Sequence, residues 1–384
     1  MIRRTRRIFF YSAMALFVFL APLLISYSLG YTFDFTKRAV EKTGGIFIKS
    51  KTPRMSVFLN GTLVKETSYL SGEALLTDIS PGIHRLRMEK ANFHPWAKTV
   101  IVQPSLVTDL RNILLIPSDP SIATTTPEEL ADLRSFAVSK SLRLTAPKET
   151  MTDANAPPPP ASPSFFLNGN HDLMKKTATT TTLFIAHINS FDVLDDNVFF
   201  IDKNGFLGKI DASSKKITTI GRPGFYLSDE QALFIKAPNG EIVITDASGG
   251  LYISDGSSNI WTITGGVREL SFDSAGKKML IRKDQSIDLL WLADNIYQPF
   301  EKTGTLQQIF SSSSDIQDAA WFFGDDAHVV IRTFDGLFFT DIDSRDGKNI
   351  VQIFSKKTDE LLTVPQIPAS IFFRRGKTFY TISL

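Results

Sequence analysis

The residues best spaced for chemistry in this chain are three aspartates, Asp341, Asp343 and Asp346, within Asp341-Ile342-Asp343-Ser344-Arg345-Asp346-Gly347. Closely spaced carboxylates with a glycine for the turn are what a calcium loop supplies. The segment has one residue more than the D-x-D-x-D-G pattern, and Arg345 brings a positive charge toward any cation held there. An acidic hairpin loop is the competing account. Elsewhere chemistry is thin. His84, His94, His171, His187 and His328 are scattered without metal-ligand spacing. The acid pairs Asp195-Asp196 and Asp325-Asp326 fall where turns are expected, and one sequence cannot pair carboxylates across a fold as a glycosidase requires. No G-x-S-x-G elbow, phosphate loop or H-E-x-x-H motif occurs. Cysteine is absent, which removes thiolate metal sites, cysteine nucleophiles and disulfides. The expectation is a protein with no catalytic residue and no cofactor.

The elements that would position such residues begin with residues 8–29, which contain no charge and follow Arg3, Arg4, Arg6 and Arg7. A helix of that length spans about 33 Å, enough for a hydrocarbon core of about 30 Å. The run is longer than the h-region of a cleaved signal. Residues 1–7 read as a basic cytoplasmic stub and 8–29 as a single membrane anchor, with everything beyond on the far side. A cleaved signal is the alternative. The chain carries 42 basic and 40 acidic side chains. Without the four leading arginines the balance is slightly acidic, so no electrostatic footprint for nucleic acid is present. The 31 phenylalanines, with no long amphipathic helical pattern after the span, point to β structure.

Residues 44–117 read as short strands broken by turns. Ser56-Val57-Phe58-Leu59 leads into Asn60-Gly61, a strong hairpin signal. Ile79-Ser80-Pro81-Gly82 is another turn, followed by a period-two alternation from Ile83 to Glu89. Seven or so strands in this span predict a small β-sandwich. Trp96, after Pro95, offers either an aromatic face for a sugar ring or a core side chain.

The order Val57-Phe58-Leu59-Asn60-Gly61, Pro81-Gly82-x-His84-x-Leu86, then Asn92-Phe93 resembles the PEGA domain. Asn60 stands where that family usually has Asp, and Asn92 where it has Gly. The resemblance implies a transthyretin-like or immunoglobulin-like sandwich at a bacterial cell surface, and no catalytic residue.

Residues 118–163 read as a Thr/Pro-rich linker. It has a possible short helix from Glu128 to Leu133 and the run Pro157-Pro158-Pro159-Pro160, a semi-rigid spacer between domains. Residues 164–384 repeat an apolar strand, a polar turn and a second apolar strand. The turns fall at Asn168-Gly169, Asn204-Gly205, Asn239-Gly240, near Gln285, at Asp335-Gly336 and at Arg375-Gly376. Their spacing predicts a β-propeller of five or six degenerate blades. Ser271-Phe272-Asp273-Ser274-Ala275-Gly276-Lys277-Lys278 resembles the turn that opens a TolB-like or WD-like blade, as does the stretch from Ala320 to Asp326. A second sandwich is the alternative fold.

The whole reads as all-β after an N-terminal transmembrane helix. The expected role is a non-enzymatic binding or scaffold protein of the bacterial envelope, anchored in the cytoplasmic membrane. Its expected partners are cell-wall glycan or an envelope protein. A cell-wall glycan lyase or hydrolase with a propeller active site, and a wall-attachment module acting through the PEGA-like unit, are the alternatives.

Overall fold

The computed structural model describes residues 3–28, 30–34, 39–126, 141–143, 164–177, 179–194, 197–211, 216–221, 233–236, 240–246, 248–255, 259–323 and 325–384. The possible helix at 128–133, the proline run at 157–160 and Asp195-Asp196 lie outside these residues. Arg3–Ser28 is one helix, and its segment Arg6–Ser26 is long and apolar enough to cross a membrane. A short hairpin, Tyr31–Asp34 with Ala39–Lys42, follows it and leads into the β structure.

Residues 44–113 form two sheets over one apolar core. Glu73–Ile79, Gly44–Ser50 and Val107–Ile113 make the first, in that order, and its last pair is parallel. Thr62–Glu66, Ser56–Leu59, Gly82–Glu89 and Trp96–Val102 make the second. Alternate residues face inward, as a pleated strand requires, so Ile46, Ile48, Val57, Leu86, Met88, Trp96, Val100 and Leu110 are buried together. Trp96 is therefore a core side chain.

Beyond these two sheets, the described residues form a β-propeller of six antiparallel sheets. The first sheet runs from Ser164–Leu167 to Thr181–Ile185, the second from Ile188–Leu194 to Ile217–Gly221, and the third from Leu233–Lys236 to Ile260–Thr264. The fourth runs from Glu269–Phe272 to Leu306–Ser311, the fifth from Ile316–Trp321 to Ile350–Phe354, and the sixth from Glu360–Leu362 to Thr378–Ser383. Apolar clusters join each sheet to the next, from the first through to the sixth. Inner strands are thus covered on both faces. Ile242–Thr245 and Leu251–Ser254 are buried at every residue, while the outer strand Ile260–Thr264 has no buried residue. Burial on two faces is why these strands read as continuous apolar runs rather than alternating ones.

The linker expectation is corrected in two places. Ile122–Thr125 is the outermost strand of the sixth sheet, paired with Thr378–Ser383, and Thr125 and Thr381 join their hydroxyls. Ser141–Arg143 pairs with Glu269–Phe272 at the head of the fourth sheet. Residues 122–125 and 141–143 thus belong to propeller sheets. Sequence reasoning missed both strands because they are short and lack flanking apolar partners.

In an antiparallel edge strand, bonded residues alternate, so of two adjacent positions one carries a ladder hydrogen bond. The double substitution Ala123→Pro, Thr124→Pro must remove one such bond and distort the strand. We expect a loss of about 2–4 kcal/mol, read as a lowered urea midpoint.

Candidate functional site

The motif residues of the first unit form a structural clasp. Asn60 and Gly61 both adopt positive φ (50° and 86°), as a tight hairpin turn demands. Asn60 Oδ1 accepts from the Arg85 amide at 2.9 Å, and its Nδ2 lies 3.0 Å from His84 Nδ1. His84 Nε2 reaches the Ser80 carbonyl at 2.7 Å, next to Pro81 and Gly82. Val57 is core, Phe93 packs on that core, and Asn92 takes φ 63°, a conformation asparagine tolerates where glycine is usual. The motif therefore holds two turns together.

The acids of the calcium candidate are engaged by other partners. Asp341 faces the sandwich: its carboxylate accepts from Lys98 Nζ at 3.2 Å, Trp96 Nε1 at 3.1 Å and Asn349 Nδ2 at 2.9 Å. The Asp343 carboxylate is taken by the Arg345 guanidinium, with Nε at 2.9 Å. The Asp346 carbonyl accepts from the Thr99 amide at 3.0 Å. Among the described residues no group of three or more His, Asp or Glu converges to hold a metal ion. These acids serve a joint between the sandwich and the fifth blade.

Lys98 is the centre of that joint. It sits at an inward position of Trp96–Val102 and is only 1% exposed. Its ammonium has three acceptors, all on the propeller: Asp341 Oδ1, the Asp343 carbonyl at 2.9 Å and the Arg345 carbonyl at 3.2 Å. The Ala97 amide donates to Asn349 Oδ1, and Arg345 Nη1 donates to the Asp109 carbonyl. A second contact lies nearby. Lys51 Nζ is 3.4 Å from the buried Asp325 carboxylate, which also meets His328 Nδ1 at 2.8 Å. Burial alone would raise the Asp325 carboxyl, but His328 and Lys51 outweigh it and hold it below the usual carboxylate value.

Docking the two units leaves a cleft of about 570 Å³ between them. Its walls include Trp96 and Arg111 from the sandwich, and Lys278, Trp291, Tyr297 and Asp326 from the propeller. Lys278 Nζ donates to the Asp326 carbonyl at 2.6 Å and lies 5.5 Å from the Trp291 ring centre. Asp273 is committed to its turn, accepting from the Lys277 and Lys278 amides at 2.7 and 3.0 Å. Asp294 is held by Lys302 and Thr303, which lower its carboxyl to about 2. Asp326 differs. Burial raises its carboxyl, the Ser274 hydrogen bonds offset part of that, and Asp273 adds to the rise. Two buried polar atoms in these walls have no hydrogen-bond partner among the described residues: the Trp291 Nε1–H donor and the Asp326 Oδ1 acceptor. Trp291 is only 7% exposed. Sequence reasoning missed Lys98, Trp291 and Asp326 as site residues. The readable signal was a lysine in phase with Trp96, Val100 and Val102.

No protein-family model matches the chain, and no curated protein matches it. Solved structures similar to it include YCF48 from Cyanidioschyzon merolae, 10% identical, over 57% of this chain and 76% of that one, with a TM-score of 0.32. The extracellular domain of a one-component system from B. thetaiotaomicron is 11% identical, over 89% of this chain and 40% of that one, at 0.31. An oligogalacturonate lyase in complex with manganese is 10% identical, over 58% and 74%, also at 0.32. These superpositions are loose, and the propeller assignment stands on the sheet order itself.

Two outcomes test the joint. Lys98→Ala leaves a buried carboxylate without its cation and is expected to cost about 3–5 kcal/mol, whereas Lys98→Met with Asp341→Leu costs clearly less; urea unfolding compares them. The folded value of Asp325 lies below its unfolded value of 3.8, so its contribution is present above that pH and is lost as pH falls further. Asp325→Asn should flatten the stability profile in that acid range.

Proposed function

We propose that this is a membrane-anchored, extracytoplasmic binding protein of the bacterial envelope, without enzymatic activity, whose interdomain cleft takes a polyhydroxylated glycan. The anchor reading rests on Arg6–Ser26, an apolar helix with no residue buried in the protein. A helix that is apolar all round and buries no residue against the fold suits an apolar solvent. The four arginines before it favour a cytoplasmic N-terminus. The clasp around Asn60 and His84 supports reading residues 44–117 as a PEGA-like unit, with residues 164–384 as the propeller.

The single observation that carries the glycan reading is the unpartnered pair in the cleft. Trp291 Nε1–H needs an acceptor and Asp326 Oδ1 needs a donor. A hydroxyl supplies both, and a sugar presents several beside an apolar ring face. A buried polar group left unpaired is costly, so the cleft favours a ligand that satisfies both atoms.

The raised Asp326 carboxyl beside Asp273 gives one specific reason to consider a glycan-cleaving enzyme. Against it, Asp273 accepts two amides and pairs with Lys278, which leaves it poorly placed as a second acid–base group.

The test is calorimetric titration of the full chain, in detergent, with soluble peptidoglycan fragments and with chitohexaose. Trp291→Phe keeps an aromatic side chain and deletes the N–H; it should weaken binding about 5–10-fold, the worth of one hydrogen bond. Absence of binding to both probes, or binding unmoved by Trp291→Phe and Asp326→Ala, overturns the glycan reading. Reducing ends accumulating during incubation would establish the enzyme reading in its place.

A further inference from the structure

The exit of the N-terminal helix is tied to one end of the sandwich. The Gly30 carbonyl accepts from the Thr43 amide at 2.8 Å and from the Thr43 hydroxyl at 3.0 Å. The Thr43 carbonyl in turn accepts from the Ser105 amide at 2.9 Å, and the Gly45 amide donates to the Leu106 carbonyl at 3.0 Å. A few hydrogen bonds thus separate the helix from the turn at 103–106. The pairs Gly45 with Val107 and Gly82 with Val102 bring the other strand ends to the same place.

That end is apolar and uncovered. Ile83 and Ile101 are cross-strand partners there, 73% and 63% exposed, and Leu106 and Val107 are half exposed beside them. A loop of the fourth blade meets this end at Val107. Gln298 fastens it to the free edge of Val107–Ile113, its Oε1 accepting from the Asp109 amide and its Nε2 donating to the Val107 carbonyl, both at 3.0 Å. Asn295 braces the loop through the Pro299 carbonyl at 2.8 Å, and Arg111 lies 5.0 Å from the Tyr297 ring centre. The loop is firmly held, yet it presents Ile296 and Phe300 at 75% and 69% exposure. Exposed apolar tips gathered at one end of a fold mark a contact surface.

We propose that this rim, formed by Ile83, Ile101, Leu106, Ile296, Tyr297 and Phe300, rests in the headgroup region of the same bilayer that the helix crosses. The occupant is lipid because the rim is continuous with the helix exit: Val107 pairs with Gly45, two residues past Thr43, or about 7 Å of strand. Exposed isoleucine, phenylalanine and tyrosine side chains suit the boundary between headgroups and acyl chains. The contact gives the anchored protein a fixed tilt. Because the loop from Asn295 to Pro299 also lines the cleft, the cleft then opens beside the membrane surface. The inference rests on the anchor reading.

The absence of cysteine makes a direct test available. Single nitroxide labels are placed on the full chain at Ile83→Cys, Ile101→Cys, Ile296→Cys and Phe300→Cys, in phosphatidylglycerol–phosphatidylethanolamine vesicles. Phe17→Cys reports the helix. Leu70→Cys reports the opposite end of the sandwich, where Gly72 bonds Ser50. Collision with oxygen relative to a water-soluble nickel chelate measures depth. We expect the four rim labels to show ratios several-fold above that of the label at 70, approaching that at 17. Rim labels as aqueous as the label at 70, with the label at 17 still in hydrocarbon, overturn the rim and leave the anchor standing. An aqueous label at 17 overturns the anchor and the rim with it.

Discussion

The buried ammonium of Lys98 is the constraint on which the arrangement of this molecule depends. The pleat of Trp96–Val102 sends Trp96, Lys98, Val100 and Val102 to one side, and three of those four are suited to a dry core. A cation in that position is tolerable only with its protons accepted. Within the sandwich no acceptor is offered to it; all three come from the fifth blade, as one carboxylate oxygen and two carbonyls. The sandwich and propeller must therefore dock in one register. The surrounding contacts follow from that register: Trp96 and Asn349 complete the shell of Asp341, and Arg345 turns back onto Asp343 and the Asp109 carbonyl. The cleft is the space this docking leaves, so its shape is set by the joint and not by either unit alone.

The propeller solves a different problem. It has no disulfide to lean on, and its sheets are small, so its stability must come from apolar surface pressed between neighbouring blades. The two central blades show this best. Leu280, Leu289, Trp291, Trp321 and Val329 share one buried cluster across the fourth and fifth sheets, and the Trp321 indole donates to the Ser271 carbonyl at 3.2 Å. The same pair of blades carries the joint to the sandwich and most of the cleft. The sixth sheet completes itself with Ile122–Thr125, a strand that precedes every other strand of the propeller. Only a few residues separate the end of the sandwich from that strand, and Ile116 within this interval is buried between the fifth and sixth sheets. The two units are thus coupled by chain, by apolar packing and by charge.

This coupling changes what a binding role would mean. A propeller on a long spacer could sample a wide volume around its anchor. A propeller clamped to a sandwich whose end is tied to the helix exit presents its surfaces in fixed directions. On the proposed reading, ligand capture occurs close to the membrane and in a defined orientation.

The amino-acid sequence by itself determined the local elements, because each is governed by short-range chemistry. The uncharged run after four arginines forms a helix, Asn60-Gly61 forms its turn, and the apolar repeats become blades whose number the turn spacing foretold to within one. What tertiary structure alone decided was the pairing of distant groups. Asp341, Asp343 and Asp346 look like cation ligands when read along the chain, and become a docking surface only when Lys98, some 240 residues away in sequence, is brought to them. Ile122–Thr125 looks like linker because its stabilising partner is at the far end of the chain. Trp291 carries no motif and Asp326 only that of a turn, and their unpaired atoms are a consequence of burial. Hydrogen bonding and desolvation depend on which groups meet in space, and that is information no local pattern of residue types contains.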